Sequence, residues 1–124
     1  MKYEHIFYKT SDGLLDIEFL FLDLGDNLGW RGYVLNNINY KQFSSNRSDI
    51  YTDTHLYIDT NQHRYIDKNK DYPYICWTKE IHSLEAMKAL AVMWSEITAY
   101  YIRYGGTFPE IQAILEKRGV INEV

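Results

Sequence analysis

The chain has 124 residues, 46% of them hydrophobic and 16% aromatic, and a formal net charge of −4. That length makes one domain whose core needs neither disulfides nor a metal. The acidic balance, with Arg31, Arg47, Arg64, Arg103 and Arg118 scattered and no basic run, excludes general binding to a nucleic-acid backbone.

In chain order, residues 3–9 alternate as a strand and Asp12-Gly13 signals a hairpin turn. Residues 14–24 form the next strand, with Leu15, Ile17, Phe19 and Phe21 on one face. After a turn at 25–29, residues 30–43 read as a strand bulged near Asn36-Asn37, and 44–50 as a polar loop. Residues 51–58, 63–67 and 72–78 read as further strands, the last with Pro73 near its start, as strand edges allow. Cys76 is the one cysteine, so no internal disulfide forms, which fits a reducing cytoplasm. No apolar run approaches membrane-spanning length.

The helical part follows. Ser83 is an N-cap and Glu85 favours the first turn of a helix over 83–104, which Gly105-Gly106 ends. Thr107-Phe108-Pro109-Glu110 is a capping box for a second helix over 108–118, with Ile111, Ile114 and Leu115 as its buried stripe. The expected architecture is a single α+β domain, 1–124: an N-terminal antiparallel β-sheet over about 3–78, then two C-terminal helices. The first helix is long and apolar on two faces. Leu84, Met87, Ala91, Trp94, Thr98 and Tyr101 make one stripe; Ala86, Leu90, Met93, Ile97, Tyr100 and Tyr104 make the other. Glu85, Lys88, Ser95, Glu96 and Arg103 mark a polar strip. A helix apolar over most of its circumference is buried on both sides. One stripe is expected on the sheet. The other is expected to meet another subunit, a partner or a ligand, with Ala86, Leu90, Met93 and Ile97 as candidate oligomer-interface residues.

Chemistry-bearing patterns are sparse. His5, His55, His63 and His82 lack the spacing of metal ligands, so no metal site or cofactor is expected. There is no GxxxxGK[ST] or GxGxxG loop. Carboxylates such as Asp16 and Glu18 read as a solvated strand face rather than an acid–base pair. Nothing forms a catalytic constellation, and the expectation is a protein that is not an enzyme. A binding constellation remains: Trp77 at the end of the last strand, Trp94, Tyr100, Tyr101 and Tyr104 along the long helix, and Arg103 projecting between Tyr100 and Tyr104. Aromatic faces stack on nucleobases, and Arg forms bidentate bonds to phosphate.

The strand end YICW (Tyr74–Trp77), the helix SLEAMKALAVMWSEITAYYI (Ser83–Ile102) and GGTFPEI (Gly105–Ile111) resemble a small phage family, the Thoeris anti-defence proteins of the first type. The opening KYEHIFYKTSDGLLDIEFLFLD (Lys2–Asp23) fits the same style. The resemblance implies a sponge in the cytoplasm of an infected or lysogenic bacterial host. Such a protein binds a cyclic ADP-ribose isomer made by an immune TIR enzyme, leaves it intact and so prevents effector activation. It also implies a homo-oligomer paired through the long helices with ligand near the junction; some members bind cyclic oligonucleotides as well. By position, the resemblance makes Trp77, Trp94, Thr98 and Tyr101 the nearest counterparts of the pocket; Arg103 and Arg118 are the cations we choose for the phosphates. The competing expectation is a small acidic inhibitor that binds a protein, such as an anti-CRISPR or toxin immunity protein, through an acidic face. A sponge would converge its aromatics and Arg in a pocket.

Overall fold

The computed structural model describes residues 2–25, 28–48, 56–58, 72–77 and 79–122, with backbone only at 57 and 58. The chain folds as α+β. Five antiparallel strands form one sheet: β1 (Tyr3–Lys9), β2 (Asp16–Asp23), β3 (Trp30–Val34), β4 (Leu56–Ile58) and β5 (Pro73–Ile75). They lie in the order β1-β2-β3-β5-β4. Helix α1 (Leu84–Tyr104) and helix α2 (Phe108–Lys117) follow. Among the described residues, no helix is long and apolar enough to cross a membrane.

Alternation in β2 sets the layers. Ile17, Phe19 and Phe21 are fully buried beneath α1, and the register places Ile6 and Tyr8 of β1 and Gly32 and Val34 of β3 on the same face. Trp94 of α1 meets Phe19 edge-on, with ring centroids 6.1 Å apart. On the opposite face, Tyr3 and Phe7 of β1 are exposed, whereas Leu22 and Tyr33 are buried.

Three strand boundaries are shorter than the hydrophobic pattern implies. Residues 10–15 close the first hairpin, with Thr10 and Leu15 joined by backbone and hydroxyl bonds, so β2 starts at Asp16. β3 stops at Val34 because the Asn36 side chain replaces the backbone beyond it. Its carbonyl accepts from Glu18 N–H at 3.0 Å and its amide donates to the Asp16 carbonyl at 2.9 Å. β5 ends at Ile75, leaving Trp77 in the connection to α1. The expected strand 63–67, and 51–55 of the strand before it, lie outside the described residues.

Both helices carry the caps their sequences promise. Ser83 Oγ accepts from Ala86 N–H at 3.1 Å, and Thr107 Oγ1 from Glu110 N–H at 3.3 Å. Gly105, at φ 76°, takes a positive-φ conformation that glycine adopts without a Cβ clash, and α1 ends there. Arg47 closes that end from outside the helix. Its guanidinium donates to the carbonyls of Tyr101 (2.8 Å), Ile102 (3.2 Å) and Arg103 (3.3 Å). A cation there also complements the helix dipole.

The polar strip of α1 divides. Lys88 pairs with Glu4 at 2.8 Å near the surface. Ser95 and Glu96 are buried instead. Ser95 Oγ turns back to the Ala91 carbonyl at 2.6 Å. The Glu96 carboxylate accepts from Tyr8 Oη (2.9 Å), Ser11 N–H (2.7 Å) and Ser11 Oγ (3.0 Å), fastening the first hairpin to the helix. Burial, then the bond to Glu96 and its charge, push the Tyr8 hydroxyl up to about 12.

The second apolar stripe is largely covered by the chain itself. Leu90, Met93 and Ile97 are buried, meeting around a small apolar gap closed by Phe108, Pro109 and Gln112 of α2. Ala86 alone of the four candidate interface residues is exposed. The α2 hairpin therefore covers much of the face for which the sequence leaves another subunit, a partner or a ligand as the expected cover.

Candidate functional site

The site arises where two paired strands part. β3 and β5 pair at Tyr33 and Tyr74. Beyond that pair, Gly32, Arg31 and Trp30 run along one side of a cleft and Ile75, Cys76 and Trp77 along the other. Trp30 and Trp77 each stand three residues from the Tyr33–Tyr74 pair (33 − 30 and 77 − 74), so the antiparallel register sets the two indoles on opposite lips. The chain then returns: the Ile81 carbonyl accepts from Trp30 N–H at 2.6 Å, closing the far end. Met87 and Leu90 of α1 form the floor. The cleft holds about 310 Å³, at the lower end of small-molecule sites, roughly 300–1,000 Å³.

Two glycines permit this packing. A Cβ on Gly32 would lie 2.8 Å from Met87 Cε, against the floor. Gly29 has φ +69°, and a Cβ there would lie 2.5 Å from the Ile81 carbonyl oxygen.

The walls combine aromatic faces with positive charge. Trp30, Tyr74 and Trp77 are all partly buried and line the cleft. The Arg31 guanidinium lies 4.6 Å from the centre of the Tyr74 ring. Lys79 adds a second cation, while Glu80 on the same wall is paired with His82 at 3.2 Å. Cys76 is a free thiol beside them. Among the described residues, no three His, Cys, Asp or Glu side chains gather as a metal site would require.

Of the six residues expected to hold ligand, Trp77 lines this cleft. The other five do not join it. Trp94 is 2% exposed and belongs to the core against Phe19. Thr98 is fully buried, and its Oγ1 has no hydrogen-bond partner. Tyr101 is buried, with its hydroxyl accepting from Ser48 N–H at 2.7 Å and donating to the Ser48 carbonyl at 3.1 Å. Arg103 is committed elsewhere, with Nε 2.8 Å from Asp12 Oδ2 and its guanidinium over the Phe43 ring. Burial alone would raise the Asp12 carboxyl, but bonds from Leu14 N–H, Arg103 and Thr10 outweigh it and hold it below the usual carboxylate range. Arg118 lies past the end of α2, 5.9 Å from the Tyr100 ring centre. The helix periodicity that groups Trp94, Thr98 and Tyr101 reports burial, and burial here is α1 meeting the sheet and α2.

Trp30, Arg31, Tyr74 and Lys79 escaped the sequence reading. The signal was Trp30-Arg31-Gly32 directly after a glycine turn, but nothing local says that β5 will diverge from it. A second opening of about 410 Å³ lies behind Trp77, between Ala86, Ala89 and Val92 of α1 and the segment Val120–Asn122; it is mostly apolar, and among the described residues no cation lines it.

No protein-family model matches the chain, and neither does any curated protein or solved structure.

Proposed function

We propose that this chain is an anti-defence sponge that takes up a cyclic ADP-ribose-type signalling nucleotide in the β3–β5 cleft and holds it without cleaving it. One observation carries the reading: two indoles and a tyrosine line the same cleft as Arg31 and Lys79. Planar bases stack on such faces, and the diphosphate pairs with the cations. The resemblance to the phage family points to the same ligand class, although it places the pocket along α1.

The energetics are adequate. Sub-micromolar capture requires more than about 8 kcal/mol. Two stacked aromatics at roughly 1–3 kcal/mol each, with charge-assisted phosphate bonds, reach that value. The direct experiment is calorimetric titration with cyclic ADP-ribose isomers, then denaturation and mass analysis of the released ligand. Intact ligand released from a tight complex is the expected result. If no isomer binds, the nucleotide reading fails and a protein target takes its place.

Trp77→Ala should weaken binding about 10- to 100-fold, equivalent to one lost stacking partner. Arg103→Ala, remote from the cleft, should leave affinity unchanged. Loss of binding in the Arg103 variant with Trp77→Ala unaffected would relocate the site to the end of α1.

A further inference from the structure

The strongest unused surface is the outer edge of β1. In an antiparallel ladder, hydrogen-bonded and non-bonded pairs alternate. Asp23 N–H donates to the Lys2 carbonyl and Thr10 N–H to the Leu15 carbonyl, so even-numbered residues of β1 bond inward to β2. The main-chain groups of Tyr3, His5, Phe7 and Lys9 therefore face outward. β1 is the terminal strand of the sheet, and among the described residues none supplies a partner to that edge. The edge is seven residues long, with no proline or bulge. Its side chains on the helix-free face include Tyr3 at 69% and Phe7 at 63% exposure. Edge strands are usually blunted by shortness, proline or inward charge. The opposite edge, β4, has three residues; β1 is neither short nor interrupted by proline, and its one carboxylate on the helix face, Glu4, is already paired with Lys88 at 2.8 Å.

We propose that β1 pairs antiparallel with β1 of a second copy of this chain, joining two sheets into one. The sequence of the strand is complementary to itself. With Ile6 on the two-fold axis, Tyr3 stands opposite Lys9, His5 opposite Phe7, Glu4 opposite Tyr8, and Lys2 opposite Thr10. No like charges face one another, and the Lys9 ammonium falls on the Tyr3 ring. The outward residues are all odd-numbered, so this register matches donors to acceptors along the whole strand. A two-fold pairing also closes: it consumes both long edges and leaves the short β4 edges outermost. The helix layers of both copies lie on the same face of the joined sheet, and the clefts stay open because β2 and β3 separate them from the new seam. This inference is independent of the ligand.

The test is sedimentation equilibrium of the full chain at roughly 100 μM, with hydrogen exchange followed on dilution. The expected mass is twice that of the chain. The amides of Tyr3, His5, Phe7 and Lys9 should be protected when concentrated and exchange quickly when dilute. Phe7→Pro removes one outward N–H and leaves the β2 ladder intact; Phe7→Lys sets a cation opposite His5. Both should sediment as monomers with the circular dichroism of the parent. A parent chain that is monomeric at this concentration overturns the proposal. So does a dimer that persists in both variants, or one whose protected amides lie outside β1. Should a variant fail to fold, the exchange pattern of the parent decides alone.

Discussion

Glu96→Ala is expected to destabilise the fold by about 3–4 kcal/mol, a large fraction of the stability of a domain this size. The carboxylate is buried and accepts from three donors, Tyr8 Oη, Ser11 N–H and Ser11 Oγ. Removing it leaves those donors facing a gap, although Ser11 lies near enough to solvent to recover part of the loss. For a chain of this length the melting temperature should fall by roughly 10–15 °C. Glu96→Gln retains one acceptor and much of the shape, and should lose about half as much. Urea denaturation of the three proteins measures both effects. An Ala variant as stable as the parent would show that the hairpin is held by packing alone.

Alkaline pH gives an independent reading of the same contact. The Tyr8 hydroxyl is raised from 10.0 to about 12 in the folded chain. The folded state therefore keeps a proton that the unfolded state has released, and stability from this group is complete below pH 10 and lost as pH rises towards 12. Glu96→Gln removes the charge that contributes to the shift, so its decline between those values should be shallower than that of the parent.

Gly29→Ala is the second large effect. Gly29 has φ +69°, and a Cβ there would approach the Ile81 carbonyl oxygen to 2.5 Å. That oxygen is fixed by Trp30 N–H at 2.6 Å, so the clash falls on backbone and is relieved only by moving the 79–82 connection, one wall of the cleft. Gly13 is the control: φ is +76°, but nothing lies within 4 Å of its notional Cβ. Gly13→Ala should incur the left-handed strain alone, about 1–2 kcal/mol. Gly29→Ala should exceed it by a further 1–2 kcal/mol or more, as overpacking does. It should also weaken ligand uptake, which Gly13→Ala leaves untouched. Equal losses in the two variants would mean that the connection yields freely and does not define the cleft.

The fold was legible in the sequence where one physical rule dominated. β1, β2 and the two helices follow from alternation, caps and the Gly105-Gly106 stop. The end of β3 was not legible, because Asn36 continues the ladder with its side chain and leaves the hydrophobic pattern running on. The role of Glu96 was hidden for a related reason: a charge on a helix reads as solvent-facing until a distant hairpin is known to land on it. The second stripe of α1 reads as a face that needs a cover, but the cover is α2 of the same chain: Phe108 stands eighteen residues after Leu90 (108 − 90) and reaches it only once the turn at Gly105-Gly106 is closed. The cleft was partly legible. Trp77 stood out, whereas its companions on β3 become neighbours through a pairing between residues 33 and 74 that no local pattern encodes.

Arg47 carries one further consequence, for the order in which the chain assembles. The final carbonyls of α1 are satisfied by a side chain more than fifty residues earlier in the chain. A helix can nucleate from its Ser83 end on local contacts, but its last turn is complete only once that distant arm has arrived. The C-terminal turn of α1 should therefore form late and fray first, so that the helix unzips towards its N-cap rather than away from it.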